Sequence, residues 1–138
     1  DSLKYQIMKT KILLSLSFLL LVSGCAGIKP GNDKLVVRAE QTRAAAVETF
    51  NSFVVFEHTN RDALWKQSKE IKHTADYVRA YGKPAIEELT KSIDTYKVLR
   101  TSGSSGTLNK NIVAVTEILN RAVTVYAQGR AALVEINK

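Results

Sequence analysis

The chain has 138 residues, 45% of them hydrophobic, and a formal charge of +7 at neutral pH. This length suits one domain with a real hydrophobic core and excludes a large core. Three of the 20 basic residues and one of the 13 acidic residues precede Cys25, so the remainder carries +5. Such an excess indicates a surface near anionic lipid head groups rather than nucleic acid, because no basic cluster is interleaved with aromatic residues.

Residues 8–25, MKTKILLSLSFLLLVSGC, have the three parts of a secretory signal peptide. Two lysines provide the positive start, residues 12–22 form an apolar run interrupted by two serines, and Ser23 and Gly24 are the small residues before a cleavage site. The run is too short for a stable membrane span, which needs about 20 apolar residues. Cys25 is the single cysteine of an exported chain, so it cannot form an internal disulfide and needs another use.

The end of this segment, Val22, Ser23, Gly24 and Cys25, resembles the lipobox of bacterial lipoproteins. The resemblance implies that the Cys25 thiol carries diacylglycerol, that the preceding peptide is removed, and that the new amino group is acylated. Ala26 follows the cysteine where an Asp would favour the inner membrane, which implies the outer membrane, facing the periplasm, if the host is Gram-negative. The alternatives are an ordinary signal peptide with a chance cysteine, or a hydrophobic helix in a core.

The chain divides into four parts around this segment. Residues 1–7 precede the natural start and are interpreted as in-frame upstream sequence or a fragment edge, and residues 8–24 are the signal peptide. Residues 25–33 contain two glycines and a proline and form a flexible tether of at most roughly 25–30 Å. Residues 34–138 are predicted to form a helical bundle domain.

The first arm of the domain is a long helix. Asn32 or Asp33 supplies a side chain that can cap its first turn. Residues 35–66 contain neither Gly nor Pro and carry an apolar stripe at three- and four-residue steps. The stripe turns polar at residues 57–61, and the helix could break at residues 58–60, but the stripe resumes afterwards. We therefore predict a continuous helix that ends near Gln67.

The second arm is predicted to contain two helices. Ser68 can cap the first of them, and Gly82 and Pro84 are typical of a helix end followed by a new helix start. The second helix carries a heptad-like apolar seam that continues to about Thr101. Taken together, residues 69–101 form one kinked arm that is about as long as the first.

The third arm is predicted to follow a linker. Residues 102–106, SGSSG, are typical of a surface loop. Thr107 can cap a last helix over residues 107–137, in which Gly129 indicates either a close helix contact or a fraying point. No stretch alternates apolar and polar residues as a strand does. The sequence therefore predicts an all-α fold, an antiparallel bundle of three long helical arms.

No catalytic or metal-binding constellation emerges from the sequence. His58 and His73 are the only histidines, they are far apart, and no HExxH or CxxC pattern is present. Glu87 and Glu88 point about 100° apart on a helix, so with Asp94 they indicate a solvated face rather than an acid–base pair. We predict a protein that is not an enzyme and has neither a metal nor a cofactor beyond the lipid.

Three aromatic residues, Trp65, Tyr77 and Tyr81, lie on either side of the predicted Ser68 turn. Aromatic residues at helical spacing usually belong to a core or a bundle seam. The alternative is a partner-binding tip, because exposed Trp and Tyr are enriched where proteins contact each other.

Two functions are compatible with these features. The first is a lipid-anchored, non-enzymatic lipoprotein of the cell envelope, whose helical surface binds an envelope protein or peptidoglycan. The terminal Lys138 resembles the last lysine of the murein lipoproteins of enteric bacteria, which is joined to peptidoglycan, although this resemblance covers one residue. The second is an interference lipoprotein of a phage or mobile element that blocks a receptor, excludes a competitor, or neutralises a toxin or lysozyme.

Overall fold

A computed structural model describes residues 33–136 of the chain, which form three long helices. They are α1 (Lys34–Gln67), α2 (Lys69–Leu99) and α3 (Ser102–Ile136). No strand occurs within this described part of the chain. The predicted all-α class is therefore confirmed.

The three helices form an antiparallel bundle in which every pair of helices is in contact. One residue, Ser68, separates α1 from α2, and two residues separate α2 from α3. Such short connections make consecutive helices run in opposite directions, and at about 1.5 Å per residue each is about 45–50 Å long. The predicted bundle of three arms is confirmed. We call its two ends the Asp33 end and the Ser68 end.

The predicted limits of α1 are confirmed by its caps. The Asp33 carboxylate accepts hydrogen bonds from the second and third backbone amides after it, at 3.0 and 3.3 Å. The helix continues through residues 58–60, because the polar side chains there are exposed or half-buried on its outer side. Ser68 then ends α1 by donating its amide to the Leu64 carbonyl, and its hydroxyl caps α2 by accepting from the Ile71 amide at 3.3 Å.

The predicted division of the second arm at Gly82 and Pro84 is wrong, because α2 is a single helix that includes both residues. Gly82 is buried against α1, where an added Cβ would overlap the Phe50 ring. The glycine is therefore a point of close helix packing rather than a helix end. Pro84 lies on the exposed side, where water can hydrogen-bond the carbonyl that loses its amide partner.

The predicted surface linker at residues 102–106 is also wrong, because these residues form the first turns of α3. The Thr101 hydroxyl accepts from the Ser104 amide at 3.2 Å, and the Ser104 hydroxyl accepts from the Thr101 amide at 3.0 Å. This reciprocal pair satisfies backbone donors as a capping box does. The helix thus begins five residues before Thr107, the predicted cap.

The core consists of two hydrophobic clusters that follow each other along the bundle. Gly129 of α3 packs closely against α1, because an added Cβ would be 2.9 Å from Phe56 and 3.0 Å from Leu64. Of the two predicted alternatives for this glycine, the close helix contact is the one that the structure shows. The cluster nearer the Asp33 end contains Ala39, Ala46, Leu89, Ile93, Leu108, Ile112, Val115 and Leu119. The cluster nearer the Ser68 end contains Phe53, Leu64, Ile71, Ala75, Val78, Ile118, Ala122 and Val125.

Polar contacts connect the start of α1 with the end of α2 at the Asp33 end. Asp33 lies 3.7 Å from the Arg100 guanidinium, and Lys97 donates to Glu40 at 2.7 Å. Partial burial raises the pKa of the Asp33 carboxyl, but these partners and the capped amides outweigh it and lower the pKa overall. The pKa of Glu40 is lowered in the same way, because Lys97 and Arg43 outweigh the effect of burial.

We expect these carboxylates to make the bundle sensitive to acid. A carboxyl whose pKa is lower in the folded state stabilises that state above its unfolded pKa, and the contribution is lost as the pH falls. The ordinary values are 3.8 for Asp33 and 4.5 for Glu40, so the free energy of unfolding should be level near neutral pH and fall below about pH 5. Urea titrations between pH 7 and pH 3 measure this. In Glu40→Gln the decrease should be smaller, and an unchanged decrease would assign it to other groups.

Candidate functional site

The residues predicted for lipidation and cleavage lie outside the described part of the chain, so their chemistry stays a prediction. The same holds for the upstream residues, the signal peptide, most of the tether and the terminal lysine. The lipobox residues are Val22, Ser23, Gly24 and Cys25. The candidate surfaces described below therefore belong to the bundle alone.

Trp65, near the end of α1, lies at the centre of a group of charged side chains from α1 and α2. Three cations lie close to its ring: Lys72 at 4.9 Å, Arg61 at 5.3 Å and Arg79 at 5.7 Å from the ring centroid. These distances are within the range of favourable cation–π contacts. We call the whole group the Trp65 cluster, which consists of Glu57, Arg61, Trp65, Lys72, Asp76 and Arg79.

Glu57 is the buried acid of the Trp65 cluster, with 1% of its surface exposed. Arg61 donates to it through two parallel hydrogen bonds, Nε to Oε1 and Nη2 to Oε2, each of 2.9 Å. Arg79 approaches from α2 at 4.0 Å. Bidentate pairing of this kind orients both partners and offsets the cost of burying the charge. The Glu57 hydrogen bonds raise the pKa of Arg61, which keeps the guanidinium charged.

Asp76 is the second acid of the cluster. It accepts a hydrogen bond from Lys72 at 2.9 Å and forms a close ion pair with Arg79. The hydrogen bond from Lys72 lowers the pKa of Asp76, and Arg79 adds to this effect against partial burial. The cluster thus holds three cations and two anions, with two of these charges on α1 and three on α2.

The cluster leaves two buried donors without an acceptor, the indole Nε1 of Trp65 and Nε of Arg79. The indole ring is already in contact with three cations, and its N–H is buried. The accessible chemistry on this side of the bundle is therefore that of the half-exposed cations Arg61, Lys72 and Arg79 rather than that of a free aromatic ring.

Tyr77 and Tyr81 form a separate aromatic pair, with ring centroids 4.7 Å apart. Arg121 of α3 lies 4.2 Å above the Tyr77 ring, and Tyr81 is exposed. At about 100° per residue, the two tyrosines lie roughly 140–180° around α2 from Lys72. The structure thus brings Tyr77 and Tyr81 together and places Trp65 on the opposite flank of α2, so the three predicted residues form two surfaces.

Sequence reasoning missed the charged members of the Trp65 cluster. Glu57 was treated as the start of a polar interruption, although it lies four residues after Phe53 and seven before Leu64, at core spacing. An acid followed four residues later by Arg61 was the available signal, because such a pair is favourable on a helix. The members of the cluster that α2 supplies depend on how the helices pack, so no local sequence pattern predicts them.

The other predicted polar residues lie at the surface. His58 and His73 are exposed, as are Glu87, Glu88 and Asp94. Residues 33–136 contain no group of three His, Cys, Asp or Glu side chains that could hold a metal ion. An apolar cavity of about 10 Å³ lies between the helices near Phe50 and Gly82, which is room for about one water molecule.

Comparisons with known proteins identify no relative. No protein-family model, curated protein or solved structure matches the chain. Within residues 33–136, none of the helices has the length and apolar character that a membrane span needs.

Proposed function

We propose that this chain is a lipid-anchored, non-enzymatic binding module of the bacterial cell envelope. The observation that carries the proposal is the lipobox-like end of an exported segment, Val22 to Cys25, eight residues before the cap of α1 at Asp33. Two or more acyl chains on the cysteine would give stable anchoring, since each buried CH₂ contributes about 0.8 kcal/mol.

The position of the proposed anchor in the chain determines which end of the bundle lies near the membrane. The tether from Cys25 to Asp33 reaches at most roughly 30 Å, so the Asp33 end of the bundle stays near the membrane. The Ser68 end then lies up to about 50 Å farther out, at the length of one helix. The Trp65 cluster lies towards this outer end, where it is available to an envelope protein or to peptidoglycan.

The non-enzymatic role rests on how the described polar side chains are used. The acids of the Trp65 cluster are paired with cations, and the two histidines are exposed and lie on separate helices. Binding through a helical surface requires only exposed cations and aromatic rings, and both are present on the flanks of α2. A binding role therefore requires no side chains other than those described.

Substitution of Cys25 tests the anchor directly. We expect the natural chain to incorporate labelled palmitate and Cys25→Ser to incorporate none, because the acceptor thiol and the new amino terminus are lost together. Ala26→Ser, which keeps the cysteine, serves as the matched control and should be labelled normally. Palmitate incorporation that persists in Cys25→Ser would refute the proposed anchor.

A pulldown tests the binding role separately. The lipidated chain, crosslinked in intact cells, should recover an envelope protein or peptidoglycan fragments. Lys72→Glu, which reverses one exposed charge of the Trp65 cluster, should recover less, whereas Lys110→Glu on α3 provides a control far from the cluster. Recovery of neither class of partner by the natural chain would count decisively against a tethering role.

A further inference from the structure

Val98 and Leu99 are exposed apolar side chains at the Asp33 end, and they are the last two residues of α2. They are 81% and 57% exposed, and Val98 has the highest value among the exposed large hydrophobic residues of the described chain. The apolar seam of α2 at this end is formed by Leu89, Ile93 and Tyr96. At about 100° per residue Val98 points away from this seam, whereas Leu99 lies beside it and is exposed at the end of the helix. Isolated exposed valines are common in proteins, and the significance of this pair depends on its surroundings.

Three basic residues lie at the same end of the bundle as the pair. Lys97 and Arg100 flank it in sequence, and Lys34 is exposed at the start of α1, at the same end of the bundle. Lys97 and Arg100 also contact Glu40 and Asp33, but both cations remain exposed.

The backbone changes direction directly after this pair. Arg100 ends α2 with a positive φ of 48°, a left-handed conformation that non-glycine residues seldom adopt. Its amide hydrogen-bonds the Tyr96 carbonyl, and α3 begins two residues later. The sharp turn places Val98, Leu99 and Arg100 at the Asp33 end of the bundle, next to the start of α3.

We infer that the Asp33 end docks on an anionic membrane surface, with Val98 and Leu99 entering the boundary between head groups and acyl chains and Lys34, Lys97 and Arg100 contacting lipid phosphates. The inference rests on the proposed lipid anchor, which holds this end within one short tether length of the bilayer. An apolar tip bordered by cations is the chemistry by which proteins lie against anionic membranes. The anchored bundle therefore stands on its Asp33 end instead of moving freely on its tether.

Depth-dependent fluorescence quenching tests the docking. The lipidated chain is reconstituted in vesicles of phosphatidylethanolamine and phosphatidylglycerol at a ratio of about 3:1, a composition chosen to supply anionic head groups. Because lipid occupies Cys25, a cysteine introduced by Val98→Cys is the single free thiol and can carry an environment-sensitive dye. Val134→Cys is the matched control, since Val134 is 59% exposed but lies in the last turn of α3 at the opposite end.

Nitroxide-labelled lipids should quench the dye at position 98 at least threefold more than the dye at position 134. Raising the salt concentration to 0.5 M, or replacing the anionic lipid by phosphatidylcholine, should reduce the difference. Equal quenching at the two positions would overturn the docking, and so would a blue-shifted dye at position 98 that nitroxide lipids do not quench, because a protein surface would then cover it. The mass of the reconstituted chain separates the two proposals: a chain without lipid refutes both, whereas a lipidated chain with equal quenching refutes the docking alone.

Discussion

Replacing Arg61 by alanine is expected to lower the free energy of unfolding by about 2–3 kcal/mol, because it leaves a buried carboxylate without its main partner. Glu57 is 1% exposed and receives both of its short hydrogen bonds from this guanidinium. Arg79, at 4.0 Å, remains as a partial counter-charge, which places the loss at or just below the low end of the range for broken buried ion pairs.

Arg121→Ala is the matched control for this substitution. Arg121 pairs with Glu117 at the same four-residue spacing and also lies over an aromatic ring, that of Tyr77. The difference is that the Glu117 side chain is 57% exposed, so its loss of a partner should cost less than about 1 kcal/mol. Urea unfolding followed by helical circular dichroism and by the fluorescence of Trp65 measures both variants. Equal losses in the two would mean that burial of Glu57 contributes nothing to the stability of the bundle.

Gly82→Ala is expected to destabilise the bundle by about 1–3 kcal/mol, the usual cost of overpacking a core. The added methyl group would overlap the Phe50 ring, and either this ring or the spacing of α1 and α2 must shift. The sign of the change in stability is informative, because alanine in an unobstructed helix interior is favoured over glycine by up to about 1 kcal/mol.

Gly106→Ala supplies the contrasting case. Gly106 lies in α3 with no atom within 4 Å of an added Cβ, so the substitution should stabilise the protein by roughly 0.5–1 kcal/mol. Combining Gly82→Ala with Phe50→Leu should cost less than the sum of the separate changes, because the smaller side chain makes room for the methyl group. Stabilisation by Gly82→Ala, or strict additivity of the pair, would show that the close contact is absent in solution.

The parts of the fold that were predictable from sequence are those decided by local chemistry. The apolar stripe of α1 required a partner surface, and the side chains of Asp33 and Ser68 are good acceptors for free amides at helix starts. Residues 58–60 did not break α1, because an interruption of polar residues on the outer side leaves the inner stripe intact. The three equal arms then favoured one antiparallel bundle.

The incorrect predictions concern residues whose role depends on tertiary packing. Gly82 is typical of a helix end, yet its lack of a side chain is used for close contact with Phe50. The serines and glycines of residues 102–106 are typical of a linker, yet Ser104 is buried and caps α3 together with Thr101. Composition cannot distinguish these uses, because the same small residues serve flexible loops, caps and tight helix crossings.

The candidate site was predictable only in part for the same reason. Trp65, Tyr77 and Tyr81 were recognisable as amphipathic aromatics, but their division between two flanks of α2 follows from the rotation of each helix in the bundle. The pairing of Glu57 with Arg79 joins residues of different helices and has no signature in either segment alone. The cluster of three cations around one indole is therefore a property of the assembled bundle.

The intact mass of the chain recovered from cell membranes tests the proposed function most directly. We expect a single species that begins at Cys25 and carries the added mass of a diacylglycerol and an amide-linked acyl chain. Digestion should place the whole addition on the peptide that begins with Cys25. A membrane-recovered or secreted chain of unmodified mass, or one that begins at any other residue, would contradict it.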